Sequence, residues 1–144
     1  MKKYLLHILI ISFVFILVPI AQVASYDTEK GIEDAKEEVR ENPDDAQAHC
    51  NLGNAYETLD KHQEPYKYQL AIKSYKQAIR INPDYAEAHV NLGVAYDKSG
   101  KYKEAIESYK QAIRINPDYA NAHYNLDVAY DKLGMYEESI EALP

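Results

Sequence analysis

Apolar residues recur every three or four positions through much of the chain, which is the spacing of one face of an α-helix. The clearest stretch begins at His89 and ends at Tyr96, with Leu92 and Gly93 between them. Ser99-Gly100 interrupts it, and a second stripe follows at Tyr102, Ala105, Ile106, Tyr109, Ala112 and Ile113. The pattern predicts two amphipathic helices joined by a short turn.

This pair of stripes repeats along the chain. Ile81–His89 and Ile115–His123 have almost the same letters at a distance of 34 residues, and Asn42–His49 is a looser copy. Self-similarity at this period indicates stacked helix–turn–helix units. The predicted divisions are an acidic capping helix or linker at 26–45 and units at 46–85 (with an insertion), 86–119 and 120–144 (truncated).

Turn residues separate the units. Pro117 stops a second helix because Pro lacks a backbone N–H. Asp118 is expected to accept backbone N–H bonds at the start of the next helix. Asp84 and Asp44 occupy matching positions, and each has Glu or Gln three residues later, which is the spacing of a capping box. We therefore expect aspartates to cap the first helices.

The features combine into one motif in the middle unit, with Asn91-Leu92-Gly93, Ala95-Tyr96, Gly100, Tyr102, Ala105-Ile106, Tyr109, Ala112-Ile113 and Asn116-Pro117. With its period of 34, this motif resembles the tetratricopeptide repeat (TPR) family from about Gly31 to the C-terminus. The resemblance implies an all-α fold, a short right-handed solenoid of stacked helix–turn–helix hairpins, and a role in protein–protein interaction.

The chain departs from the family pattern at several places. Histidine stands where the family often has Trp, at His49, His89 and His123. Asp127 replaces a Gly of the earlier units and Ser139 replaces an Ala, so we expect the last unit to be looser. The first unit carries six extra residues between its helices, around Asp60–Tyr66.

The first 25 residues have the parts of a secretory signal. Lys2 and Lys3 precede an uncharged apolar run, and Val23-Ala24-Ser25 supplies small residues for cleavage. The competing interpretation is an uncleaved anchor, because Tyr4–Ala24 is 21 residues without charge and about 20 suffice to cross a bilayer. Either way, the sequence predicts an exported chain that is periplasmic or secreted, or tethered to the membrane through this segment.

Charge disfavours two classes of partner. The net charge is −7, and the 14 bases and 23 acids after residue 25 give that part a net charge of −9. Such a chain is repelled by phosphate backbones and by anionic lipid surfaces. We therefore predict no nucleic-acid partner, and no membrane contact beyond the N-terminal segment.

Candidate chemistry is sparse. Cys50 is the only cysteine, which excludes an internal disulfide framework and a Cys-based zinc site; it is either a small packing residue or a thiol that pairs between chains. The three matching histidines would stand roughly 10 Å apart in stacked hairpins, too far to share one metal ion. The serines lack a paired His and Asp, and no Gly-rich phosphate loop exists. The sequence predicts no enzyme, no cofactor and no metal.

Tyrosine is the only aromatic residue after Phe15. Ten of the 14 tyrosines recur in the same register from unit to unit, among them Tyr75 and Tyr109. We interpret these ten as packing residues, whereas Tyr124 is predicted to face a binding groove.

That groove is predicted on the side of each first helix that points away from its second helix. Its residues are Asn51, Asn54, Val90, Asn91, Val94, Lys98, Tyr124, Asn125, Val128 and Lys132. A column of asparagines at 51, 91 and 125 could bind the main chain of an extended peptide, because an amide offers both a donor and an acceptor. The competing interpretation is that these asparagines are exposed and idle. Acids at the edge (Glu57, Asp97 and Asp131) favour a neutral or basic ligand.

The sequence thus predicts a scaffold or adaptor that binds a partner peptide in the groove. The alternative is a self-assembly module that forms homo-oligomers through an uncapped C-terminal helix surface. A third hypothesis is a truncated copy of a longer repeat protein.

Overall fold

The computed structural model describes residues 27–59 and 64–135, and these ranges contain helices and no strand. The helices are α1 (27–41), α2 (Ala46–Glu57), α3 (Glu64–Ile81), α4 (Ala86–Lys98), α5 (Tyr102–Ile115) and α6 (Ala120–Leu133). The predicted all-α fold is confirmed. The signal segment at 1–25, most of the insertion, and the segment from Tyr136 to the end, with Ser139, lie outside the described residues.

The helices form two layers. α2 packs on α3 and α4 packs on α5, which gives two helix–turn–helix hairpins. α3 also contacts α4, α5 contacts α6, and the first helices α2, α4 and α6 touch one another in sequence. The core runs between the layers and is built from small aliphatic side chains and tyrosines, as expected for a solenoid without Phe or Trp.

A glycine–tyrosine contact fixes the spacing within each hairpin. A Cβ atom at Gly53 would lie 2.4 Å from Cε1 of Tyr75, and one at Gly93 would lie 2.4 Å from Cε1 of Tyr109. Both rings are almost fully buried, at 1% and 2% exposure. Only glycine fits beneath these rings. The close approach predicted at Gly93 is therefore a contact between the ring of Tyr109 and the glycine backbone.

The predicted aspartate caps are wrong in the second and third units. The N-cap residues of α4 and α6 are Tyr85 and Tyr119, and neither makes a side-chain capping hydrogen bond. The turn is held by asparagine instead, because Oδ1 of Asn82 accepts the Asp84 N–H at 3.2 Å, and Asn116 accepts the Asp118 N–H in the same way.

In the first unit the capping residue is one position later than predicted. The side chain of Asp45, not of Asp44, accepts the backbone N–H of Gln47 at 2.8 Å. Asp44 and Asp45 are adjacent in the sequence, and the structure places Asp45 directly before the first residue of α2, which is the N-cap position.

The three histidines bind backbone carbonyls. Nε2 of each ring lies 2.8–3.0 Å from the carbonyl oxygen of a proline six residues earlier: His49 with Pro43, His89 with Pro83, and His123 with Pro117. Each ring therefore fastens the start of a first helix to the turn before it. Among the described residues, no group of His, Cys, Asp or Glu could hold a metal ion.

The first hairpin has a lysine at its closed end. Lys67 is 7% exposed, and its ammonium group donates to the carbonyl oxygens of Leu59 at 2.9 Å and Glu57 at 3.4 Å. A cation at this position satisfies carbonyls at the C-terminus of α2 and suits the negative end of its dipole. Lys67 thus joins α3 to the end of α2. The helix α3 has 18 residues, against 14 in α5.

Candidate protein-binding face

The predicted groove residues lie on α2, α4 and α6, and we call this surface the first-helix face. It comprises Asn51, Asn54, Val90, Asn91, Val94, Lys98, Tyr124, Asn125, Val128 and Lys132. Asn54, Lys98, Tyr124 and Lys132 are exposed, whereas Val90 is buried at 5% exposure and the other five are half-buried. Val90 therefore contributes almost no accessible surface, and its side chain belongs to the core between units.

Asn91 joins α4 to α2. Its Nδ2 donates to Oδ1 of Asn54 at 3.2 Å and approaches Sγ of Cys50 at 3.7 Å. The hydroxyl group of Tyr75 also donates to Oδ1 of Asn54, at 2.8 Å, and lies 3.1 Å from Oε1 of Glu57. Burial and the neighbouring Glu57 carboxylate raise the pKa of Tyr75, so the phenol stays neutral and keeps its proton for these bonds.

Asn51 joins α2 to α1. Its Oδ1 accepts from Nε2 of Gln47 at 2.9 Å, and its Nδ2 lies 3.3 and 3.4 Å from the carboxylate oxygens of Glu38. Asn125 has no hydrogen bond of its side chain to any residue within 27–59 and 64–135. The three asparagines of the predicted column therefore have different surroundings, and two of them hold neighbouring elements together.

A pair of salt bridges links the ends of the first helices. Nζ of Lys98 lies 2.7 Å from Glu57, and Nζ of Lys132 lies 2.6 Å from Asp97. The lysines also lie over rings, with Lys98 at 5.9 Å from Tyr68. Each lysine thus contacts an acid on the preceding first helix, and the two pairs neutralise much of the predicted acidic edge.

The pKa of the Lys98 ammonium follows from this geometry. Burial by itself lowers the pKa of a lysine, and here the hydrogen bond and the charge of Glu57 outweigh that effect, so the pKa of Lys98 is raised above its ordinary value. The cation is therefore fixed in its charged form at neutral pH. Sequence reasoning missed the pairing, although acids and lysines recur in register, because each partner comes from the neighbouring unit.

Cys50 is inaccessible. Its side chain is 0% exposed, and burial raises the pKa of the thiol, which disfavours the reactive thiolate. Asn91 of the next unit and Tyr85 at the end of its own unit contact it. The structure therefore supports a packing role and leaves no exposed sulfur for pairing between chains.

Neither 27–59 nor 64–135 contains a helix that is long and apolar enough to cross a bilayer.

Comparison with known proteins identifies the repeat. A family described as "TPR repeat" matches residues 67–100 and 98–134. No curated protein matches the chain.

Solved structures of MamA have a similar fold. One has 31% sequence identity and a TM-score of 0.72, covering 80% of this chain and 64% of that one; a second has 31% identity and a TM-score of 0.71, covering 80% and 60%. MamA MSR-1 C2 has 28% identity and a TM-score of 0.66, covering 85% and 67%. The chain thus spans somewhat less than two thirds of the first two.

These matches agree with the helix pairs and the 34-residue period. Helical repeats of this kind are protein-interaction scaffolds that present extended surfaces, and they are generally not enzymes. The chain is therefore a member of the tetratricopeptide repeat family.

Proposed function

We propose that this chain is an exported scaffold that binds a segment of a partner protein along the first-helix face. The family supports a protein-interaction role. The basic start, apolar run and small residues of 1–25 favour export, either with a cleaved signal or with a retained anchor.

The observation that carries the proposal is a continuous face of three touching first helices with spare hydrogen-bonding groups. Asn91 donates its side-chain amide N–H groups to residues of α2. No hydrogen bond from the described residues reaches its Oδ1. Within 27–59 and 64–135, no residue takes up the side-chain donor or acceptor of Asn125. An extended peptide could therefore donate a main-chain N–H to Asn91 and make two bonds to Asn125.

Charge sets the expected partner chemistry. The salt bridges remove Glu57 and Asp97 from the accessible acids, and Asp131 is exposed at the end of α6. With a net charge of −9 after residue 25, the chain favours a neutral or basic segment and disfavours nucleic acid.

Photo-crosslinking from single positions tests partner binding. A benzophenone amino acid replaces Asn54 or Asn125 on the face, and Glu107 on the second helix α5 serves as the exposed control. We expect discrete adducts with a partner from the exported fraction at the two face positions and none at Glu107. Equal adducts from all three positions would argue against a dedicated face.

Asn125→Ala then tests the hydrogen-bonding role. We expect it to reduce adduct formation from Asn54, because the Asn125 side chain has no hydrogen bond to lose among the residues that the structure describes. Unaltered capture would remove the amide from the binding site. Protease accessibility in intact cells, before and after permeabilisation, tests export separately.

Self-assembly is the second candidate, and the exposure of Tyr124 favours it. This ring is 67% exposed on the first-helix face. Light scattering over a range of concentrations decides the point, because a monomer at every concentration would end this alternative.

A further inference from the structure

Three positions in the same register of the first helices differ greatly in exposure. Cys50 is 0% exposed, Val90 is 5% exposed and Tyr124 is 67% exposed. Cys50 is covered by the following unit, where the side-chain amide of Asn91 approaches its sulfur. Within 27–59 and 64–135 no helix follows α6. The Tyr124 ring therefore lies where a following first helix would cover it.

The acids of the first helices show the same progression. Glu57 and Asp97 are paired with lysines of the next first helix, and their side chains are only 17% and 18% exposed. Asp131 is next in register, and it is exposed. No cation in the described ranges forms a salt bridge with its carboxylate.

Each paired lysine also lies over a tyrosine ring of the preceding unit. The distances from Nζ to the ring centroid are 5.9 Å for Lys98 over Tyr68 and 5.4 Å for Lys132 over Tyr102. A carboxylate beside an aromatic face is a favourable site for an ammonium group. The repeated arrangement shows what docks against the acid at the end of a first helix, which is a lysine in the last turn of another helix.

We propose that Tyr124, Val128 and Asp131 form a docking surface on α6 for a helix of a partner protein that carries a lysine in its last turn. That helix would lie on α6 as α4 lies on α2, with its lysine on Asp131 and its apolar or amide side chains over Tyr124 and Val128. This goes beyond the proposed peptide binding, because the occupant is a helix and the contacts are those of a following unit.

A second copy of the chain fits this surface less well than a partner does. Thr58, directly after α2, stands where α4 and α6 have Lys98 and Lys132, so α2 brings no lysine to Asp131. The amide of Asn51 on α2 already faces Glu38 of α1. The lysines of α4 and α6 are engaged within their own chain.

A peptide derived from the chain itself tests the surface. The probe is a dye-labelled, helix-stapled peptide with the sequence of residues 86–99, and its binding to the full-length chain in mild detergent is followed by fluorescence anisotropy. We expect Asp131→Lys to weaken binding by about fivefold or more, since it puts a like charge against the peptide lysine. Asp118→Lys, the same change in the exposed turn before α6, should leave binding within about twofold.

A charge swap makes the test specific. The Lys98→Glu peptide should bind the unaltered chain weakly and should regain affinity for Asp131→Lys. The proposal would be overturned if the probe did not bind, or if the Lys98→Glu peptide did not regain affinity for the Asp131→Lys chain. Covalent labelling of the free full-length chain adds a second condition: Tyr124 must be modified readily while Tyr75 and Tyr109 are protected. A Tyr124 that is as protected as those two is covered by its own chain or a second copy, and the proposal fails.

Discussion

The ring of Tyr109 lies directly on the backbone of Gly93, with no room for a methyl group between them. The same contact joins Tyr75 to Gly53 in the preceding hairpin. In both cases the tyrosine comes from the second helix and the glycine from the first, so one residue pair sets how closely the two helices pack.

Gly93→Ala should destabilise the protein. The new Cβ would lie 2.4 Å from Cε1 of Tyr109, and relief of such overpacking typically costs about 1–3 kcal/mol. Gly31→Ala is the matched control, because a Cβ there has no atom within 4 Å and alanine favours a helix over glycine by about 1 kcal/mol. Urea unfolding should give a lower free energy of unfolding for the first variant and a higher one for the second. Equal effects would show that the ring moves aside freely.

The salt bridge between Lys132 and Asp97 should give a small, salt-dependent coupling. In a double-mutant cycle with Asp97→Ala and Lys132→Ala, we expect a coupling free energy of about 0.5–1 kcal/mol, because both groups remain partly in contact with solvent. The measurement is chemical unfolding at low and at high salt. A coupling that does not decrease in high salt would contradict an electrostatic origin.

The buried tyrosines should make the protein sensitive to alkali. Burial, followed by the charges of Asp97 and Glu57, raises the pKa of Tyr109, so the unfolded chain releases this proton at a lower pH than the folded chain does. The free energy of unfolding should therefore fall as the pH rises above about 10, by about 1.4 kcal/mol per pH unit for each such tyrosine.

Substitution isolates this effect. In Tyr109→Phe one fewer proton is released on unfolding. The fall in unfolding free energy above pH 10 should therefore be less steep, by about 1.4 kcal/mol per pH unit. Tyr124→Phe, the same change at a ring that is 67% exposed, is the control for loss of a hydroxyl group. Urea titrations at several pH values measure the slopes, and a Tyr109→Phe slope equal to that of the unaltered protein would rule out Tyr109 as the titrating group.

The buried site of Cys50 should tolerate only small side chains, and its thiol should become accessible only on unfolding. Cys50→Val places the residue of the matching position, Val90, in the same buried site and should change stability by less than about 1.5 kcal/mol. Cys50→Tyr introduces the residue found at Tyr124 and should destabilise by about 1–3 kcal/mol or more, because the next unit already fills the space. A thiol reagent should label Cys50 only in denaturant, and rapid labelling of the folded chain would contradict its burial.

The fold was predictable because its determinants are local. Apolar residues at helical spacing and the Asn-Pro turns fix where each helix lies, and the small residue at Gly93 indicates a close approach. The nearest partners of a helix in a repeat are its sequence neighbours, so the order of packing follows from the order of the units.

The surface was harder to predict because its bonds connect units. Asn51 and Asn91 are both followed by Leu-Gly, yet one faces Glu38 of α1 and the other faces Asn54 of α2. Val90 was placed on an open face and is buried in the hydrophobic core. Helix periodicity gives the direction of a side chain but not what stands opposite it, and that depends on the neighbouring repeat.

The glycine–tyrosine contact also has a consequence for the surface as a whole. Because the same ring-on-backbone contact joins the two helices of each hairpin, α2 and α3 pack as closely as α4 and α5 do. Units that are packed alike can stack one after another without a change in their internal geometry. Groups at matching positions of such units suit a ligand that is itself periodic, such as an extended chain with a peptide bond every few ångströms.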